Sequence, residues 1–345
     1  MRKFISSFIQ GARPFQRVRT LRPIQRALIL TIFGLVLLVA SNYVGELQAY
    51  QGAQVAVYIV AISSIIVLTG YSGQISLGHG ALMAIGGYGT ALSFTEWNFP
   101  WPMAIIFGVV VGTIFGAILG IASARLQGPY LAGTTLALAV GLPSVADQFK
   151  ILGGEQGLGF DIGDPPAWLQ RLAGGNFTQY QWFFWLTAID ALFIFWATTN
   201  VLQSSFGRNW RAVRNNPTAA SLAGINVPRW KILAFTVSAC LASLSGALLA
   251  LLLGLVTPTA FPLSLSFLLI TGAVVAGLGR LGGSILGSVI LVSIPELSGA
   301  LATHFGDSQK LTANLPGIVS SLMLIIVVIF APNGLSQIKL GRKPG

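Results

Sequence analysis

An all-α, polytopic integral membrane protein of about ten helices (range roughly eight to twelve) is the fold the sequence predicts, at roughly 20 apolar residues per bilayer crossing. Three observations carry that expectation. Of 345 residues, 54% are hydrophobic and 8% charged, against roughly 25% charged in an ordinary soluble domain. Several charge-free stretches are long enough to cross a bilayer, and two are long enough to cross it twice. The Lys and Arg residues gather in short segments between those runs. This pattern excludes a soluble globular enzyme, a disordered chain and a coiled coil. The 41 glycines suit close helix packing within a membrane. Cys240 is the one cysteine, which excludes a disulfide framework or a cysteine-based metal site. The net charge of +11 does not imply nucleic acid, because the cations do not line one exposed face.

In chain order, residues 1–26 form a basic N-terminal segment with Arg2, Lys3, Arg13, Arg17, Arg19, Arg22 and Arg26. It suits contact with anionic membrane lipid or a plain orientation signal. An uncleaved first helix is expected, since the apolar run that follows exceeds the core of a secretory leader and more spans come after it. Residues 27–335 form the transmembrane domain. Its apolar stretches are Ala27–Gly45, Leu47–Thr95, Trp97–Ala124, Leu126–Ala146, Trp182–Leu202 (interrupted at Asp190), Ile232–Gly279, Gly283–Ala302 (with Glu296 near one end) and Leu311–Ile338. Leu47–Thr95 and Ile232–Gly279 must each fold back, at Tyr71-Ser72-Gly73 and at Thr257-Pro258-Thr259. A basic tail, 336–345, closes the chain.

Cytoplasmic segments collect Lys and Arg. Ten spans with both termini inside put the N-terminal cluster, the 203–231 connection (Arg208, Arg211, Arg214, Arg229, Lys231) and the tail in the cytoplasm. The same threading puts Glu46, Glu96, Asp147, Glu155, Asp161, Asp164 and Asp307 outside.

Several stretches are not ordinary membrane helix. Gly70–Gly80 holds four glycines with Ser72, Gln74, Ser76 and His79 inside a charge-free run. Irregular backbone at membrane depth persists where it is buried in protein or lines a water-filled cavity. A second Gly-rich stretch spans Gly272–Gly287, and paired interruptions of this kind point to a substrate path. Close helix packing explains the same glycines. Pathway candidates are therefore Ser72, Gln74, Ser76, Gly78, His79 and Asp190. For His79, no Ser/His/Asp or His/Glu spacing accompanies it, so a hydrogen-bonded core histidine is the plainer expectation. Asp190 is costly near mid-membrane and such carboxylates usually face a cavity or a partner. The 147–181 connection, outside in this threading, is long enough to serve as a docking surface or a passive cap.

The connection 203–231 is the most informative. Asn216 before Pro217 reads as a helix start, an N-cap acceptor followed by a proline whose missing N–H costs nothing at the first helical position. Thr218 to Ala223 are helix-compatible, and Gly224 can close the helix in a left-handed conformation. A two-turn helix is barely stable alone, so a neighbour must hold it.

Tyr71-Ser72-Gly73-Gln74-Ile75-Ser76-Leu77-Gly78-His79-Gly80-Ala81, continued by Gly86-Gly87-Tyr88, resembles the signature of branched-chain amino acid ABC transporter permeases of the LivH/LivM type, the LivM-like half most. Gly207–Ile225 resembles that family's coupling loop, Gly277–Gly287 its late Gly-rich segment, and Ala331-Pro332-Asn333-Gly334-Leu335 its C-terminal ending. The resemblance spans roughly Ile59 to Leu335. It implies a permease subunit of an ATP-driven importer of branched-chain or other small amino acids. The implied partners are a homologous second permease, two cytoplasmic ATPase subunits and an extracytoplasmic substrate-binding protein. Carried over by position, Arg211, Ala212, Arg214, Asn216, Ala219, Ala220, Gly224 and Ile225 form the loop seated on an ATPase. Asn215, Pro217 and Ser221 stand where the family often has acids, so Arg211 and Arg214 are expected to carry more of that contact.

No G-x-x-x-x-G-K-[ST] phosphate loop occurs in the sequence, so ATP binding in the P-loop manner is not expected of this chain. It is read as a transport subunit and not an enzyme, with no cofactor or metal implied. Urea or short amides suit an apolar path with a few hydroxyls nearly as well as amino acids do. An ion-coupled secondary transporter using Asp190 and Glu296 is the alternative from another class.

Overall fold

The computed structural model describes residues 23–41, 44–126, 128–163 and 178–304, with single positions at 165, 167, 170, 315, 318, 319, 322 and 325. The elements in order are α1 (Pro23–Ser41), α2 (Glu46–Ile65), a π-helical turn (Ile66–Tyr71), α3 (His79–Thr95), α4 (Trp101–Arg125) and α5 (Pro129–Gln148). Two short 3-10 turns and the two-residue strand β1 (Leu158–Gly159) follow. Then come α6 (Gln179–Gln203), α7 (Ser205–Asn215), α8 (Pro217–Leu222), α9 (Val227–Leu253), β2 (Leu255–Val256), α10 (Leu263–Ala276) and α11 (Gly283–His304).

The chain is all-α and polytopic, and helices stand at nine of the ten expected places. The tenth, Leu311–Ile338, lies essentially outside the described residues, as do most of 164–177, the N-terminal segment and the C-terminal tail. Among the described residues, 5 helices are long and apolar enough to cross a membrane, or up to 6 if α5 and the turn bent 100° from it form one span. Ile24–Leu37 in α1 and Gly283–Ile294 in α11 are shorter apolar pieces. Both long runs break where the sequence predicts. Leu47–Thr95 turns after Tyr71, and Ile232–Gly279 turns through β2 and a 3-10 turn at Pro258–Ala260.

The core forms around α9, which packs on α4, α3 and α2, while α6 packs on α2 and α1 on α6. Small residues make the centre possible. Gly108, Gly112, Gly116 and Gly120 fall every fourth residue and so form one stripe along α4, and that stripe is buried. A Cβ on Gly112 would overlap the Ser243 side chain of α9, and one on Gly246 would overlap the Met83 carbonyl of α3. The backbones therefore touch, as in membrane helix pairs held by packing rather than by water exclusion. The other side of α4 exposes Met103, Ile106, Val110, Ile114, Ile118 and Ile121, a continuous apolar face suited to lipid.

The molecule has two distinct ends. At one, β1 pairs antiparallel with β2 (Leu158 with Val256, Gly159 with Leu255), and the Phe160 ring meets Phe94 at 5.4 Å. Trp101 meets Trp182 edge-on at 5.9 Å at the same end. The first half of the 147–181 connection is thereby fastened across the α9–α10 link. At the opposite end lie the turn after α2, the 203–231 connection and the link from α10 to α11.

Candidate functional site

That second end brings together three motif stretches that the sequence keeps far apart. Its framework is α7, which sequence reasoning left unassigned. Ser204 caps it by accepting from Phe206 N, 3.2 Å away, and Gly207, Trp210 and Val213 recur every third residue to form its buried face. Trp210 is fully buried and donates from Nε1 to the Trp230 carbonyl at 3.0 Å. Phe206 and Trp230 meet edge-on at 5.3 Å. An 11-residue helix is marginal alone. This aromatic lock is the neighbour that holds it. The Trp–apolar spacing inside a basic loop was the signal that could have revealed it.

The two-turn α8 forms where the sequence predicts. Asn216 accepts from Ala219 N at 3.0 Å, with Pro217 at the first position. At the other end Gly224 has φ +83°, and Ile225 N reaches back to the Ala220 carbonyl at 3.0 Å. That pair of features is the left-handed closure that satisfies the last carbonyls of a helix. Ala220 faces inward, whereas Thr218, Ala219 and Ser221 are exposed and Leu222 is 86% exposed. Ala212 lies on α7 and Ile225 just past α8, both half-buried.

Arg211 and Arg214 turn toward the end of α2. The Arg214 guanidinium donates to the Gly70 carbonyl, and the Arg211 guanidinium sits 5.8 Å from the centre of the Tyr71 ring, within cation–π range. Burial lowers the Arg214 pKa from its ordinary value, partly offset by Tyr71. It stays cationic at neutral pH, as arginine does in proteins.

In the signature turn Ser72, Gln74, Ser76 and His79 are buried, while Gly73 and Ile75 are exposed. Gln74 donates to Ser72 Oγ at 2.7 Å and to the Lys231 carbonyl at 3.1 Å. Leu77 N donates to Thr135 Oγ1 at 2.9 Å, and Gly78 sits so close to Thr135 that a Cβ there would press on its carbonyl. Gly78 N donates to Ser76 Oγ. His79 is fully buried, its Nε2 sharing a 3.0 Å hydrogen bond with Ser238 Oγ, which also reaches the Ser64 carbonyl at 2.8 Å. His79 thus ties α3 to α9 and α2 as a core histidine. Gly80 N donates to Ser266 Oγ of α10. Ser72, Gln74, Ser76, Gly78 and His79 are brought together by the fold, with Thr135, a hydroxyl the sequence also offers for the path, and with Ser238 and Ser266 as partners that no local sequence signal singles out.

Asp190 is not in this cluster. It lies half-buried in the middle of α6, about 20 Å along the helix from the Gln203 end. The Glu296 side chain lies outside the described residues.

The description "Branched-chain amino acid transport system / permease component" belongs to a family whose model matches residues 49–328, from α2 past the end of α11. The chain belongs to this family. The permease resembles the high-affinity branched-chain amino acid transport system permease protein LivM of Salmonella typhimurium, at 28% identity over 81% of this chain and 67% of that protein. LivH from the same organism is 32% identical over 47% of this chain and 46% of its own length. The autoinducer 2 import system permease protein LsrC of Escherichia coli is 25% identical over 82% of this chain and 78% of that protein. Among solved structures, PsaBC from Streptococcus pneumoniae in complex with Fab aligns at 18% identity over 87% of this chain and 97% of that one, with a TM-score of 0.42, too low to compare folds. The permease is a multi-pass membrane protein of the transport class, in line with its apolar helices.

Proposed function

We propose that this permease is one membrane subunit of an ATP-driven importer in a prokaryotic cytoplasmic membrane, moving branched-chain or other small amino acids inward. It pairs with a homologous permease, rests on two cytoplasmic ATPase subunits and receives substrate from an extracytoplasmic binding protein. Both termini and the 203–231 connection face the cytoplasm. The observation that carries this reading is α8: a capped, two-turn helix presenting an exposed Leu222 on the loop whose other helix, α7, contacts the end of α2. An exposed apolar side chain on a short, braced helix suits a groove on a partner. Asn216, Ala219, Ala220, Gly224 and Ile225 shape that helix, while Arg211, Ala212 and Arg214 brace it from behind. Ser72, Gln74, Ser76, Gly78 and His79 border the inner end of the pathway.

The substrate rests on similarity to LivM and LivH. The LsrC likeness keeps autoinducer 2 as the second reading. Urea and short amides would pass the same hydroxyl-lined stretch. Gentle detergent extraction from the native membrane, followed by mass spectrometry, tests the assembly. Recovery of a P-loop ATPase and a second permease is the expected result. A clean monomer or homodimer would instead turn attention to ion coupling through Asp190 and Glu296. Uptake in vesicles that survives loss of the membrane potential but not ATP depletion separates the two mechanisms, and competition by leucine, urea or autoinducer 2 assigns the cargo.

A further inference from the structure

We propose that Arg214 is a positioning residue that ties the 203–231 loop to the π-helical end of α2, so that displacement of the loop opens or closes the turn at Tyr71–Gly78. The proposal rests on the loop being the seat of an ATPase. Its physical basis begins with the π-helical turn. From Ile66 to Tyr71 the α2 ladder loosens, and Ser72 N and Gln74 N reach back five and six residues, to the carbonyls of Val67 and Leu68, at 3.2 Å each. Such insertions are rare and weaken a helix end. Past those bonds, the Gly70 carbonyl takes its donor from Arg214, 144 residues away in sequence.

Three further contacts make the tie specific. Gly73 has φ +74°, and a Cβ there would lie 2.8 Å from Arg214 Cγ, so the turn is shaped around the arginine stem. On its other side Gly70 abuts the Leu278 carbonyl closely enough that a Cβ would overlap it. The turn is therefore held between the loop and the α10–α11 link. Gln74 adds a second fastening, to the Lys231 carbonyl.

The loop is built to move as one piece. Trp210 and Trp230 bind its two arms together, so a pull on α8 reaches Arg214 through α7. The turn, in contrast, is poised to rearrange. Ser72, Gln74, Ser76 and His79 are all buried in the present arrangement, and Gln74 Oε1 has no hydrogen-bond partner among the described residues. An opened turn would satisfy that acceptor and uncover the hydroxyls. Rigid loop, charged tie at Arg214 and loosened helix end together make a mechanical link from partner to pathway, acting only because the partner favours one loop position over another.

The test uses the complete transporter in lipid nanodiscs and proteoliposomes, as wild type, Arg214→Ala and Arg214→Lys. ATP hydrolysed per substrate moved is measured together with amide hydrogen exchange. With Arg214→Ala the ATPase stays bound and hydrolysis continues, uptake falls about tenfold or more, and amides of 70–78 exchange about tenfold faster while those of 255–260 do not change. Arg214→Lys, which keeps one cationic donor, recovers part of the uptake. Wild-type stoichiometry in Arg214→Ala overturns the proposal. So does loss of the ATPase from that complex, which would make Arg214 a subunit contact, and so does faster exchange throughout the chain, which would make it a scaffold residue. A wild type that transports without ATP removes the reading beneath the proposal and overturns both, a failure visible in the wild-type arm alone.

Discussion

Asn216 and Gly224 define α8 from its two ends, by different physics. Asn216 accepts a backbone N–H that would otherwise be unsatisfied, and replacing such a cap by alanine costs about 1 kcal/mol. Gly224 holds a left-handed φ of +83°, where an L-residue with a Cβ loses roughly 1–2 kcal/mol. Asn216→Ala and Gly224→Ala should each speed hydrogen exchange of amides 218–223 and lower uptake, while leaving the yield of inserted protein unchanged. The double variant should be worse than either, since both act on one short helix. Asp190 makes the opposite case. It stands half-buried on α6, away from the signature turn, so Asp190→Asn should transport at the wild-type rate in vesicles. A large loss would add a second polar station to the pathway. Residues with a local job were legible in the sequence, as Asn216-Pro217 and Gly224 were. Ser238 and Ser266 were not, because their role depends on which helix lies opposite.

Among the elements, α8 presents its outward face for a partner and turns Ala220 toward its own chain. Leu222→Asp and Ala219→Arg should therefore release the ATPase from the detergent complex without changing the melting temperature of the permease. Large charged residues at Ala219 and Ala220 together should abolish uptake while sparing insertion, and the Ala220 half of that effect should include loss of α8 itself. The α4 stripe answers to packing alone. Gly112→Leu on α4 must displace the Ser243 side chain, and Gly246→Val on α9 must push back the Met83 backbone. Overpacking of this kind costs about 1–3 kcal/mol or more. Thermal unfolding in mild detergent should drop by several degrees, and the yield with it. α7 was hidden from sequence reasoning because six of its 11 residues are Arg, Asn or Ser. Its stability comes from Trp230, fifteen residues beyond its end, and no local propensity reports that contact.

For the whole molecule, the two ends should lie on opposite sides of the membrane. In a Cys240→Ser background, a cysteine at Glu155 should react with an impermeant maleimide from outside intact cells, and one at Thr218 only after permeabilisation. Reversed labelling would invert the topology. The sequence alone determined the all-α membrane class, the breaks of the two long apolar runs, the two-turn helix in the basic connection and the family. Each of these is written in hydrophobicity, charge or turn chemistry over a few dozen neighbouring residues, where the bilayer and the backbone set the rules. Only the tertiary structure decided that the turn at Tyr71–Gly78, the loop around Arg214 and the link at Leu278 meet at one end. Their contacts join residues more than 140 positions apart through backbone carbonyls and buried hydroxyls, and such pairings leave no periodicity to read. They follow from α9 drawing its glycine-lined neighbours into contact, which fixes where every connecting segment must emerge.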